Sequence, residues 1–177
     1  MSEIYERVRE RTRLLEKIEL YIPGFRGYKE KELRREADRL IREYLLRELN
    51  RAYEGFKAIM VALATTGQVG AYELYNQTQA VFDRLIAKLR TMDYGYAGFF
   101  DAVKIEEKEL DKLLEYDYNL IEEIEKIAKT VSEARSAAFG GDATKLAAAL
   151  SSLRQELESL YDLLIKREDV ITSIGRR

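Results

Sequence analysis

The residues that decide the fold are DATKLAAALSSLRQELESLYDLLIKREDVITSIG, positions 142–175. Within them Leu146, Leu150, Leu153, Leu157, Leu160, Leu164, Arg167, Ile171 and Ile174 follow one another in unbroken steps of four and three. A seven-residue period of this kind holds one face of an α-helix against a partner and winds the two together left-handedly, knobs into holes. Asp142 supplies an N-cap oxygen and Gly175 a C-terminal stop.

Upstream of the Gly140-Gly141 turn, Leu110, Leu113, Asp117, Leu120, Ile124, Ile127, Val131, Ala134 and Ala138 repeat the pattern and predict a helix over about 104–138. Each ladder holds one charge, Arg167 in one and Asp117 in the other. A turn this short makes the two helices antiparallel neighbours. Folding about residue 141 then brings Asp117 within one turn of Arg167, and the reading pairs them across the hairpin. Such a pair fixes register more than it adds stability, because desolvation offsets much of the attraction.

Three further helices complete the pattern. The first runs from about Ser2 to Tyr21 with Ile4, Val8, Leu15, Ile18 and Ile22 on one stripe and Arg11 in a seam position. Pro23, Gly24 and Gly27 end it. The second spans about Lys29 to Ala64 and stops at Thr65-Thr66-Gly67; the third spans Val69 to about Met92. Residues 93–101, rich in glycine and aromatics, then interrupt the chain. The expected fold is all-α: one domain over 1–177, an elongated antiparallel up-down bundle of five helices with coiled-coil-like packing.

Composition removes most catalytic chemistry. With no Cys and no His, thiolate nucleophiles, disulfides, Ser-His-Asp catalysis and Glu-x-x-His di-iron sites are all excluded. Carboxylate pairs such as Glu106 with Glu109 and Glu122 with Glu125 lie beside the apolar ladders, on what reads as a solvated face, so no metal or cofactor is expected. The chain therefore reads as a non-enzyme. Its longest apolar run, Ala58 to Ala64, is far short of the roughly 18 residues of a membrane span. A cytoplasmic location is expected. Charged residues make up 35% of the chain, a composition that leans toward a hyperthermophile's.

Charge is also segregated. Residues 1–51 hold 14 Lys+Arg against 11 acids, whereas residues 101–125 hold 3 Lys against 10 acids. One reading packs the basic helices beside the acidic start of the fourth. A second makes an anion site of Arg26, Lys29, Lys31, Arg34 and Arg35, where a glycine-containing loop opens onto a helix N-terminus. Interleaved Glu30, Glu32 and Glu36 weaken that field, and no nucleic-acid motif is present. Most of the twelve tyrosines are expected at the core edge, ring buried and hydroxyl in water.

Up-down topology brings both Gly-aromatic loops and the basic C-terminus to one end. That end gathers Phe25, Arg26, Tyr28, Lys29, Tyr94, Tyr96, Phe99, Phe100 and Asp101. Two readings stand: a recognition surface of rings and cations, or aromatics that plug the open end of the bundle. The segments IPGFRGYKEKE, residues 22–32, and DYGYAGFFD, residues 93–101, carry a resemblance. Together they look like an uncharacterised all-helical prokaryotic family, and the whole chain is similar to hypothetical proteins of hyperthermophilic crenarchaea. The resemblance implies no activity and adds no functional residue.

The function expected from these features is a non-catalytic scaffold or protein-interaction module acting through long helical faces. Self-association as a homo-oligomer is expected, because the first and last helices carry more apolar stripe than one bundle covers, Leu163 and Val170 among it. The alternative is binding of an anionic ligand or nucleic acid at the basic entrance to the second helix.

Overall fold

A computed structural model describes residues 2–92, 96–102 and 104–175, without the side chains of Ser2 and Gly175. It contains α1 (Ser2–Tyr21), α2 (Arg34–Thr66), α3 (Tyr72–Thr91), α4 (Ala97–Asp101), α5 (Glu107–Phe139) and α6 (Ala143–Gly175). Single 3-10 turns stand at Lys31–Leu33 and Val69–Ala71, and no strand occurs among the described residues. Among the described residues the helices number six rather than five. The interruption expected over 93–101 contains α4, where Phe99 and Phe100 return their N–H groups to the Tyr96 carbonyl and bury their rings.

Three helices begin later than their sequence pattern. Leu33 N–H donates to Glu30 O, and Ala71 N–H to Gln68 O, so the chain enters α2 and α3 through tighter turns than an α-helix makes. The charged segment Lys104 to Glu106 precedes α5 rather than opening it. Ends follow the residues that favour them. Gly141 takes a φ of 71°, which an L side chain resists, and Asp142 N–H returns to Ala137 O to close α5. Asp142 Oδ1 then accepts from Lys145 N–H and caps α6.

Contacts divide the chain into two compact units. The first comprises Met1–Tyr44, Thr91–Ile121 and Leu163–Arg177; the second comprises Leu45–Arg90 and Glu122–Asp162. In the second, the ladder residues Leu146, Leu150, Leu153, Leu157 and Leu160 are all fully buried. Phe56 stacks on Tyr75 with centroids 4.4 Å apart, and Phe82 lies 5.1 Å from Phe56 and 5.0 Å from Tyr53. Stacking of this density adds about 0.5–1.5 kcal/mol per pair beyond the area buried. Gly55 admits the close approach of α5: a Cβ there would sit 3.2 Å from Val131 Cγ1.

The first unit holds both Gly-aromatic loops. Gly27 takes a φ of 77°, and a Cβ on it would meet Leu15 Cδ2 at 2.8 Å. The glycine thus lets the loop lie against α1 and delivers the next residue, Tyr28, into the core.

Candidate functional site

Tyr28 is the hinge of the site. Its hydroxyl donates to Asp117 Oδ2 at 2.6 Å and accepts from Arg167 Nη2 at 2.9 Å. Arg167 Nε donates to Asp117 Oδ1 at 2.6 Å, so the two charges that interrupt the ladders meet. Arg167 Nη1 lies 2.9 Å from Asp38 Oδ1, and Arg42 Nε donates to Asp38 Oδ2 at 2.8 Å. Arg167, Asp117 and Asp38 are each 0% exposed. Two carboxylates and two guanidiniums make the cluster neutral, the condition under which buried charge is tolerated.

The electrostatics follow from this enclosure. Burial pushes the Asp117 carboxyl up, while Arg167 and the Tyr28 hydroxyl pull it back. Burial works against the Arg167 cation, but Asp117, Tyr28 and Asp38 outweigh it and hold the guanidinium charged. Burial and the neighbouring Asp117 raise the Tyr28 phenol well above its ordinary value. Each of these groups is held by another of the set.

The two loops come together around this cluster. Tyr28 packs edge-on against Phe25 and Phe99, at 6.0 Å and 5.8 Å, and Phe99 against Phe100 at 5.3 Å. Phe25, Tyr28, Tyr96, Phe99 and Phe100 are all buried. These five rings, expected either as a recognition surface or as a plug, are packed inside the first unit rather than presented on its surface. Arg26, Lys29 and Asp101 are exposed, and Arg26 borders a groove of about 210 Å³ beside Gly24, Leu33 and Glu36. Tyr94 lies outside the described residues.

The anion set is taken apart by its own neighbours. Arg34, expected to face a phosphate, is buried and donates to the carbonyl oxygens of Tyr28 and Ala102. Arg35 pairs with Asp101 at 3.4 Å and lies over the Phe100 ring at 4.7 Å. These two guanidiniums tie the loops together, which leaves Arg26, Lys29 and Lys31 facing solvent. The segregated charges meet as well: Arg7 and Arg11 pair with Asp111, and Arg11 also with Glu107. Lys17 Nζ lies over the Tyr118 ring at 4.6 Å.

Sequence reasoning missed three members of the cluster, Tyr28, Asp38 and Arg42. Tyr28 is not at a core edge with its hydroxyl in water, and neither are Tyr75 and Tyr96. Asp38 went unnoticed, although Arg34, Asp38, Ile41 and Leu45 are spaced by four, three and four, the same seam as the other ladders. Among the described residues no group of three acids converges as a metal site would require, and no helix is long and apolar enough to cross a membrane. No family model, curated protein or solved structure matches the chain.

Proposed function

We propose that the protein is a non-catalytic interaction module that assembles with a second copy of itself through α1. One observation carries the reading: Tyr5 and Leu20, at the two ends of one outward stripe of this helix, are 71% and 84% exposed, with Ile4 and Val8 beside Tyr5 at 69% and 50%. Scattered apolar residues are normal on a surface, but a set of them on a single 20-residue helix marks a partner face. Leu163 and Val170 of α6, by contrast, are half-buried.

The outward face of α1 is self-complementary. Tyr5, Arg9, Thr12, Arg13, Glu16 and Leu20 are spaced by four, three, one, three and four, the same forward and backward. An antiparallel copy related by a two-fold axis between Thr12 and Arg13 sets Tyr5 against Leu20 and Arg9 against Glu16, each contact made twice. None of Arg9, Arg13 and Glu16 makes an ion pair with a described residue of its own chain. Sedimentation equilibrium tests the reading: the parent dimerises at micromolar concentration, and Leu20→Glu is monomeric with an unchanged helical spectrum. Arg9→Glu weakens the dimer and Arg9→Glu/Glu16→Arg restores it. A parent that is monomeric throughout, or a charge swap that restores nothing, overturns the α1 interface.

Within each unit we read the helices as an up-down array with knobs-into-holes packing. In the second unit Tyr53 meets Phe82 and Asp83 while Phe56 meets Tyr75, which supports antiparallel α2 and α3. The short connection at Gly140 and Gly141, together with Thr130 and Lys126 meeting Glu156, supports the same for α5 and α6. The likeness to helical proteins of hyperthermophilic crenarchaea belongs to this proposal, and a melting temperature above about 90 °C is its check.

A further inference from the structure

Glu156, on α6 in the second unit, is 7% exposed. Its Oε1 accepts from Thr130 Oγ1 at 3.0 Å and lies 3.8 Å from Lys126 Nζ. Its Oε2 is buried and accepts from no protein group. A buried carboxylate oxygen without a donor is costly, so an oxygen left this way points to a donor that is not part of the chain.

Glu156 belongs to the lining of a groove of about 810 Å³ between α5 and α6. The walls are shallow: Ala137, Gly140, Ala148 and Ala149 offer nothing larger than a methyl group. Ser132, Ser136 and Ser152 add hydroxyl oxygens that accept as well as donate. Glu133 and Asp142 join Glu156 against a single cation, Lys145. Burial raises the Glu156 carboxyl, Thr130 and Lys126 lower it, and Glu123 and Glu133 raise it again. More negative charge thus surrounds this carboxylate than its one weak lysine contact balances.

We propose that the groove binds a linear aliphatic diamine or polyamine. One ammonium group donates to Glu156 Oε2, the methylene chain lies on the alanine and glycine wall, and a second ammonium reaches Glu133. The excess of acids rejects anions, and the narrow track between two helices favours an unbranched chain over a ring. A compact ammonium with three donors suits one buried oxygen flanked by hydroxyls better than a planar guanidinium, which needs a matched pair of acceptors. The proposal is independent of the α1 interface, since it needs neither α1 nor a second copy.

Isothermal titration of the full chain with spermidine and with 1,5-diaminopentane tests it, with 1,5-pentanediol as the uncharged counterpart. Both amines are expected to bind once per chain and the diol not at all. Glu156→Gln keeps an oxygen for Thr130 but loses the charge, and binding falls about tenfold or more, as for a charged hydrogen bond. Ala148→Leu, at an exposed position of the wall, fills the track and produces a similar loss without moving the melting temperature. Glu73→Gln, exposed and outside the groove, changes nothing. The proposal is overturned if amine binding is absent up to about 1 mM. It is equally overturned by stoichiometry well above one with all variants alike, the behaviour of diffuse counterions, or by binding of the diol as tight as that of the diamine.

Discussion

In the unit built from Met1–Tyr44, Thr91–Ile121 and Leu163–Arg177, the centre of the core is a set of charges, Asp38, Asp117 and Arg167 around the Tyr28 hydroxyl. In the unit built from Leu45–Arg90 and Glu122–Asp162 it is a stack of rings, Tyr53, Phe56, Tyr75 and Phe82. The two cores draw on the same heptad spacing, so spacing alone does not set their chemistry. Apolar packing is tolerant, because most rotamers of most apolar residues bury area. A buried charge network is intolerant, since removing one member strands the rest. The first unit therefore holds its register by penalty and the second by fit.

The sharpest way to break the comparison is to remove the central cation. Arg167→Met leaves two buried carboxylates facing an apolar side chain and is expected to destabilise the protein by about 3–5 kcal/mol in denaturant titrations. Adding Asp117→Asn to that variant should recover most of the loss, because Asp38 keeps its pairing with Arg42 and no uncompensated charge is left. A double variant as unstable as the single one would show that shape, not charge, governs this core. Phe56→Ala in the second unit has a similar expected cost, about 3–5 kcal/mol from lost burial and the cavity left behind. No second substitution of a neighbour should rescue it.

Tyr28→Phe is a smaller cut. It keeps the ring among Phe25 and Phe99 and deletes the hydroxyl that donates to Asp117 and accepts from Arg167. A loss of about 1–3 kcal/mol is expected. A double-mutant cycle with Asp117→Asn should show strong coupling, and additive losses would place the hydroxyl outside the network.

The smallest effect is one of pH, and it carries a trace of the first unit's chemistry into the second. Burial raises the Glu156 carboxyl above its ordinary value. The stability linked to that proton is complete below the ordinary carboxylate range and is lost as pH rises through the raised value. Glu156→Gln has no such loss, so it should melt above the parent at pH 7, with the gap closing toward pH 4. A gap of equal size at both pH values would free Glu156 from any role in the pH dependence.

Much of this was legible because helical spacing is a strong signal over long runs. The α5 and α6 ladders, the Gly140-Gly141 turn and the Asp142 cap follow from local rules that the full structure does not override. Asp117 and Arg167 stood out because each is the sole charge in an otherwise apolar ladder. Asp38 did not, since Ala37 and Leu40 offered a second, more apolar stripe through the same turns. Tyr28 lies in a loop where no period applies, and only the fold brings it to residues 89 and 139 positions away. The partners of Arg34 are hidden from the sequence for a related reason. Arg34 looks like any helix-entry arginine until the carbonyl oxygens of Tyr28 and Ala102, the latter 68 residues distant, come into its reach.

Arg167 also has a place in time. It is synthesised 139 residues after Tyr28 and 50 after Asp117. At about 5–20 residues per second, the nascent chain carries Tyr28 without this cation for roughly 7–30 s. Throughout that interval Asp117, once made, lacks the guanidinium that neutralises it, and closing the first core early would strand its charge. The late arginine thus sets the order of events: the second unit has all its residues by Asp162, whereas the first becomes worth folding only once Arg167 has been made.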